Sequence, residues 1–190
     1  MATRYKAILK FYGHDWAGDD LDGWTGAFTA KDADRILIAT PTEQHFSDIL
    51  KYRHFGKPIL CEKPISTDMS LIECLEEVVG LEAPFEMVDQ YRYLFDLEAT
   101  GPTRYDYFRH GKDGLYWDCI NIIKHAKADV HLNDQSPHWL CTINGHRLRL
   151  GSMDWGYSGM ILDWLDRAGN DVPGIIAAHR KVDELCRQRS

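Results

Sequence analysis

Two short strings in the first third of the chain bring together residues that can do chemistry: Ile38-Ala39-Thr40-Pro41-Thr42-Glu43-Gln44-His45 and Cys61-Glu62-Lys63-Pro64. Each closes an apolar run that reads as a strand, and the carboxyl ends of parallel strands are where α/β proteins bind ligands. A lysine beside a glutamate at such a lip can hold an anionic or hydroxylated ligand, and its proton affinity shifts when it is desolvated. The plainer alternative is a local ion pair between Glu62 and Lys63, with Pro64 merely ending the strand. Metal chemistry has no comparable support, because His125, Asp129 and His131 straddle a helix end and a strand with no repeated i, i+4 pair. The five cysteines (Cys61, Cys74, Cys119, Cys141 and Cys186) show no C-x-x-C spacing and read as reduced, buried small hydrophobes.

The elements that must position these strings follow from hydrophobic periodicity. Ile36-Leu37-Ile38-Ala39 is the unbroken apolar run of a strand buried on both faces, stopped by Thr40-Pro41-Thr42. Residues 43–55 carry Phe46, Ile49, Leu50 and Phe55 at helical spacing, and Gly56-Lys57-Pro58 leads into a second strand, Ile59-Leu60-Cys61. This is a strand-helix-strand unit, hence parallel pairing through a right-handed crossover. A helix over residues 68–79, with Leu71, Leu75 and Val78 inward, and a strand over 85–88 continue the pattern.

Ahead of this unit, Tyr5, Ala7, Ile8, Leu9 and Phe11, ended by Gly13, predict a short amphipathic helix, and residues 19–24 read as polar and helix-starting. Past Tyr91 the pattern turns mixed. Strands are expected over 104–108, 139–143 and 147–150, the last two joined by the hairpin signal Asn144-Gly145, and helices over 115–126, 160–167 and 175–187. The fold class is therefore a truncated, Rossmann-like parallel sheet with helices over residues 1–90, followed by a reduced α+β part with an antiparallel sheet over 91–172. A C-terminal helix, 173–190, completes the chain.

Composition bounds the partners. A chain of 190 residues, 44% hydrophobic and 27% charged, is folded and the size of one domain with a reduced appendage. Its net charge of -7 and lack of a basic block exclude a phosphate-binding nucleic-acid groove. No apolar run reaches membrane-spanning length and the N-terminus lacks the apolar core of a secretory signal, so a cytoplasmic location is expected. The six tryptophans read as core and interface fillers.

Together, the two strings resemble the A-T-P-x-x-x-H and E-K-P turns of the glucose-fructose oxidoreductase, inositol dehydrogenase and rhizopine catabolism (Gfo/Idh/MocA) family. The resemblance implies that the first turn lies along a nicotinamide cofactor, that the lysine of the second touches nicotinamide ribose and substrate, and that the peptide before its proline is often cis. Those cofactor-binding roles fall on Thr40, Pro41, His45, Glu62, Lys63 and Pro64. The run from Asp171 to Leu185 is similar to the family's last helix, which implies that the helix over 173–190 packs back on the first domain. Family members also carry an Asp and a His four residues apart on a helix beneath the substrate; Asp118 matches the Asp, but Ile122 stands at the His position. His125, seven residues after Asp118 and close to the same helical face, is the candidate to take over proton transfer. Lys63, Asp118 and His125 are thus the candidate catalytic groups.

The expected G-x-G-x-x-G turn is missing. Its nearest counterpart, Gly13 to Gly18, has no strand predicted before it, and residues 3–13 read instead as the helix after a second strand. The leading expectation is accordingly a homologue that has lost dinucleotide binding and serves as a non-redox ligand-binding or structural protein, with no cofactor. The alternative is a minimal NAD(P)-dependent oxidoreductase acting on a sugar-like or cyclitol alcohol, completed or not by a partner chain covering the open sheet edge. A homo-oligomer, most simply a dimer through the C-terminal sheet with Trp139, Ile143 and Leu148, is also expected.

Overall fold

The computed structural model describes residues 7–11, 14–16, 33–80, 83–93, 103–106, 112–126, 130–133, 140–143, 146–149 and 153–188. Two compact units emerge: Met1–Val88 with Trp164–Val172, and Asp89–Asp163 with Pro173–Ser190. The class is α/β.

The first unit is built on a five-stranded sheet in the order β2-β1-β3-β4-β5. Its strands are β1 (Ala7–Phe11), β2 (His14–Trp16), β3 (Arg35–Ala39), β4 (Ile59–Cys61) and β5 (Phe85–Met87). The expected pairing holds, with Ile36 opposite Ile59 and Ile38 opposite Cys61 in parallel register. Helix α1 (Thr42–Tyr52) makes the crossover, followed by a 3-10 turn over Arg53–Phe55 that ends on Gly56 at φ 62°, a left-handed conformation that glycine adopts without penalty. Between β4 and β5 the expected single helix is two, α2 (Met69–Glu73) and α3 (Leu75–Val79), broken at Cys74. Asp68 caps α2 by accepting from the backbone N–H and the hydroxyl of Ser70. Ile72, Leu75 and Val79 are the buried positions, one step round from the predicted Leu71 and Val78.

The largest correction concerns residues 7–11, which form a strand and not a helix. β1 runs parallel to β3, from Ala7 opposite Arg35 to Phe11 opposite Ala39, and pairs antiparallel with β2 on its other side. A strand interior to a sheet reads as a nearly continuous apolar run, and Ala7-Ile8-Leu9-Lys10-Phe11 is too short for spacing alone to separate that from a helix. The sheet edge beside β3, expected to lie open, is thus paired. Residues 19–24 lie outside the described residues.

The second unit carries a four-stranded sheet in the order β7-β6-β8-β9. Its strands are β6 (Thr103–Asp106), β7 (Val130–Asn133), β8 (Leu140–Ile143) and β9 (His146–Arg149). β6 is parallel to β7, so the sheet is mixed and not purely antiparallel; β8 and β9 pair antiparallel with Ile143 opposite His146. Asn144-Gly145 and Trp139 lie outside the described residues, as do the side chains of Ile143 and Leu148. The helix expected over 115–126 is α4 (Lys112–Asp118) and α5 (Ile120–His125), and the last two helices are α6 (Met153–Asp166) and α7 (Val172–Arg187).

Residues 173–190, expected against the first domain, group with the second unit. There Lys181 of α7 donates to the carbonyls of Ile123 (3.1 Å) and Ala126 (3.0 Å), satisfying the open end of α5. His179, two residues earlier, is fully buried, donates from Nδ1 to the Ile175 carbonyl at 2.7 Å, and has the Trp117 ring 5.8 Å away.

Burial pushes the His179 imidazole from its ordinary 6.5 down to about 4. Between those values the unfolded chain binds a proton that the folded chain refuses, so stability falls as pH drops from 6.5 towards 4. A depression of that size corresponds to on the order of 3 kcal/mol. Urea unfolding at pH 7 and pH 4.5 should register that loss, and His179→Gln should remove most of the pH dependence. An equally steep decline in the variant would assign acid sensitivity elsewhere.

Candidate functional site

The two turns singled out from sequence meet at the carboxyl ends of β3 and β4. Backbone pairing extends past the strands, with Glu62 N donating to the Ile38 carbonyl and Val88 N to the Cys61 carbonyl, both at 2.8 Å. Thr40 and Pro41 then turn the chain into α1, whose first hydrogen bond runs from Gln44 N to the Pro41 carbonyl. Beyond β4 the Lys63-Pro64 peptide is cis, as the resemblance implied.

His45 joins these turns. Its ring is almost fully buried, with Nδ1 2.8 Å from the Pro64 carbonyl oxygen and Nε2 2.6 Å from that of Thr40. Both partners only accept. A neutral imidazole has one N–H and donates to one of them, whereas an imidazolium donates to both. Three residues on, buried Asp48 accepts the Thr40 hydroxyl at 2.8 Å. One face of α1 therefore holds both sides of the first turn and reaches across to the second.

This assigns the predicted cofactor-binding residues unequal parts. The hydroxyl of Thr40 is spent on Asp48 of α1 and the ring of His45 on the carbonyls of the two turns, while Glu62 and Lys63 are half-buried at the lip. The Glu62 carboxylate accepts from the Lys63 backbone N–H at 2.9 Å, which fixes the approach to the cis peptide. Beneath them the Cys61 thiol is pushed well up by burial and further by the Glu62 and Asp48 charges, so it stays a small protonated filler. Cys74, by contrast, is exposed and departs from the buried reading.

The second unit has its own polar cluster. Asp89, the second residue after β5, is buried; its carboxylate receives Lys124 Nζ at 3.0 Å and faces His125 Nε2 at 2.8 Å from each oxygen. Burial alone would raise this carboxyl, but the hydrogen bond from His125 and the Lys124 charge outweigh it and hold the group below the usual carboxylate range. That stabilisation is present above the ordinary 3.8 and is lost as pH falls through the lower folded value. Beside it Asn121 donates to Gln90 at 3.0 Å.

Asp118 ends α4 and is half-buried, whereas His125 ends α5. The helices divide at Cys119, so the two residues lie on separate helices. Ile122 is fully buried in the core. Among the described residues no three metal-ligating side chains cluster, and Asp129 lies outside them.

Sequence reasoning missed Asp48, Asp89 and Lys124. The available signal for Asp48 was its i, i+3 spacing from His45; for Lys124 it was membership with Asn121 and His125 of one i, i+3, i+4 face. Asp89 had no signal, because its partners come from a helix far along the chain.

No family model matches the chain. It is 45% identical over 42 residues to an inositol 2-dehydrogenase of Rhodococcus erythropolis, a match covering 22% of this chain and 12% of that protein. The aligned part is thus a small fraction of the curated relative. By fold it is similar to a Gfo/Idh/MocA family oxidoreductase from Vibrio cholerae (TM-score 0.61, 16% identity, 82% of this chain and 78% of the other). It is likewise similar to the WlbA dehydrogenase from Thermus thermophilus, solved with NAD and UDP-GlcNAcA (TM-score 0.59, 15% identity, 80% and 72%).

If His45 is the link between the turns, His45→Ala should cost about 2–4 kcal/mol, since it strands two carbonyls and leaves a cavity. Thr40→Val should cost about 1–2 kcal/mol for the lost bond to Asp48. Urea midpoints at constant slope would read both, and a change under about 0.5 kcal/mol for His45→Ala would discard the bridge.

Proposed function

We propose that this chain, a member of the Gfo/Idh/MocA oxidoreductase family, is an NAD(P)-linked oxidoreductase acting on a hydroxyl of a sugar-like or cyclitol substrate. The observation that carries the proposal is the pair of turns at the carboxyl ends of β3 and β4, clamped by His45 with Lys63 at the lip. The inositol 2-dehydrogenase match and the NAD complex among the structural neighbours support the same chemistry.

The expectation that cofactor binding has been lost rested on the missing G-x-G-x-x-G turn and ribose-binding acid and on Gly13 to Gly18 having no strand before it; β1 supplies that strand but not the glycine spacing. The chain leaves β1 towards β2 on one side, while β3 lies on the other. β1 and β3 are parallel, so their carboxyl ends fall at one edge of the sheet, the edge where nucleotides bind in α/β folds. In this reading Lys63, with its half-buried stem and charged head, meets the nicotinamide ribose and the substrate hydroxyl. A bound NAD(P) would supply the hydride acceptor or donor. His125, oriented by Asp89, and Asp118 are the acid-base candidates from the second unit.

One observation favours a second reading, a non-redox ligand-binding or structural protein. The residues paired after β1 form strand β2 and not a helix, so the helix N-terminus that usually receives the pyrophosphate does not directly follow that strand. Cofactor titration separates the two readings. Reduced-cofactor fluorescence and calorimetry should detect NAD(H) or NADP(H) binding, weakened at least tenfold, or about 1.4 kcal/mol, by Lys63→Ala. No binding of either cofactor at millimolar concentration would overturn the redox reading. Homo-oligomeric assembly belongs to the same proposal; light scattering should give a multiple of 21.9 kDa, and a monomer at micromolar concentration would count against it.

A further inference from the structure

We propose that His45 is a positioning residue for Lys63: through the bond from its Nδ1 to the Pro64 carbonyl, the ring sets where the lysine at the lip meets a nicotinamide cofactor. The use of Lys63 rests on the oxidoreductase reading, whereas the hold of His45 on its turn is a property of the first unit alone.

Lys63 stands between two fixed points. Before it, Glu62 N donates to the Ile38 carbonyl at 2.8 Å, which carries the pairing of β3 and β4 one residue past the strand. After it, the Pro64 carbonyl oxygen lies 2.8 Å from His45 Nδ1. Proline has no N–H, so this carbonyl is the one backbone hydrogen-bonding group that Pro64 offers. Pro64 is buried, and a buried carbonyl deprived of its donor is costly. The N–H of Lys63 itself is turned onto the Glu62 carboxylate at 2.9 Å, and its side chain is half-buried.

The ring in turn is held by α1. It is 1% exposed, its Nε2 lies 2.6 Å from the Thr40 carbonyl oxygen, and Asp48, three residues on, accepts the Thr40 hydroxyl at 2.8 Å. Ile49 and Tyr52 continue the same buried stripe of the helix. The two ring nitrogens therefore have separate tasks: Nε2 faces the turn that precedes α1, and Nδ1 faces the turn that carries Lys63. The second task needs hydrogen on Nδ1, which the Nδ1–H tautomer and the imidazolium both provide. A misplacement of about 1 Å in a positioned group can cost on the order of a hundredfold in rate, so a slack turn beside Lys63 has consequences for whatever that lysine meets. His45 touches no cofactor in this arrangement; it acts through Lys63.

Two substitutions separate the nitrogens. Counted in bonds from the backbone, the amide nitrogen brought in by His45→Asn stands where Nδ1 stood and that of His45→Gln where Nε2 stood. His45→Asn therefore keeps a donor for Pro64, and His45→Gln keeps one for Thr40. Hydrogen exchange at the Lys63 backbone N–H, followed by NMR without cofactor, should quicken about tenfold in His45→Gln and stay within about threefold of wild type in His45→Asn. Equal exchange in the two variants, or the reverse order, would overturn the hold on the turn. So would an unprotected Lys63 N–H in the wild type, a measurement that needs no variant to fold. In fluorescence titrations with NADH and NADPH, His45→Gln should weaken binding about tenfold and His45→Asn by less than about threefold. In a Lys63→Ala background His45→Gln should add less than about twofold, because the ring acts through that side chain. A loss undiminished in that background, or equal in both single variants, would overturn the positioning role. If neither cofactor binds the wild type while the exchange pattern holds, the redox reading falls and the hold of His45 on the Lys63 turn stands.

Discussion

Everything at the mouth of the first unit depends on one buried imidazole. His45 stands between the carbonyls of Thr40 and Pro64, and these belong to turns that are 24 residues apart and follow different strands. Parallel strands end on the same side of a sheet but nothing in the ladder fixes what their loops do next. A ring with two nitrogens 2.8 and 2.6 Å from the two loops does fix it. The cost of burying so polar a group is met by hydrogen bonds, and Asp48 with the Thr40 hydroxyl completes the same face. The turn that carries Lys63 is thereby tied to the turn after β3.

That constraint also explains why α1 is oriented as it is. The buried stripe is His45, Asp48, Ile49 and Tyr52, whereas the apolar residues alone had suggested Phe46, Ile49 and Leu50. Leu50 keeps 44% of its surface in solvent. Rotating the helix to bury Leu50 would withdraw His45 and Asp48 from the turns and leave their carbonyl and hydroxyl partners without donors or acceptors in the interior. Each such loss costs about 1–3 kcal/mol, comparable with burying one leucine, and there are several of them. Polar satisfaction outweighs the exposed leucine.

The strand-helix-strand core was legible because Ile36 to Ala39 and Ile59 to Cys61 are apolar runs punctuated by Thr40-Pro41 and by Gly56-Lys57-Pro58, signals written locally. Residues 7–11 were not legible, since five residues with one lysine fit a helical stripe and an interior strand equally, and only β3 and β2 on either side decide. The same difference separates the site residues. Thr40, His45 and Lys63 lie in strings with recognisable order, while Asp89 gains its meaning only when the chain brings α5 back to it from more than 30 residues away, as its 36-residue separation from His125 records. Breaks at Cys74 and Cys119 were invisible for a related reason: neither position carries Gly or Pro, so the helices divide for packing reasons that the sequence does not announce.

The cluster around Asp89 shows how a buried polar face and an apolar core share one short helix. On a helix, i+3 and i+4 neighbours share a face, so Lys124 and His125 stand one turn from Asn121, and all three side chains reach the Asp89-Gln90 pair that follows β5. An isoleucine at position 122 then belongs to the core and not to the polar face, where it packs with Ile120 and Ile123 at full burial. The polar face is met by Asn121, Lys124 and His125, and the apolar core by Ile120, Ile122 and Ile123. The two requirements are compatible because they fall on different sides of the same short helix. Its final turn is secured from behind by Lys181, which binds the carbonyls the helix leaves open. A ring at a helix end would otherwise fray with it; Lys181 ties the backbone there and Asp89 holds Nε2, so His125 keeps one orientation.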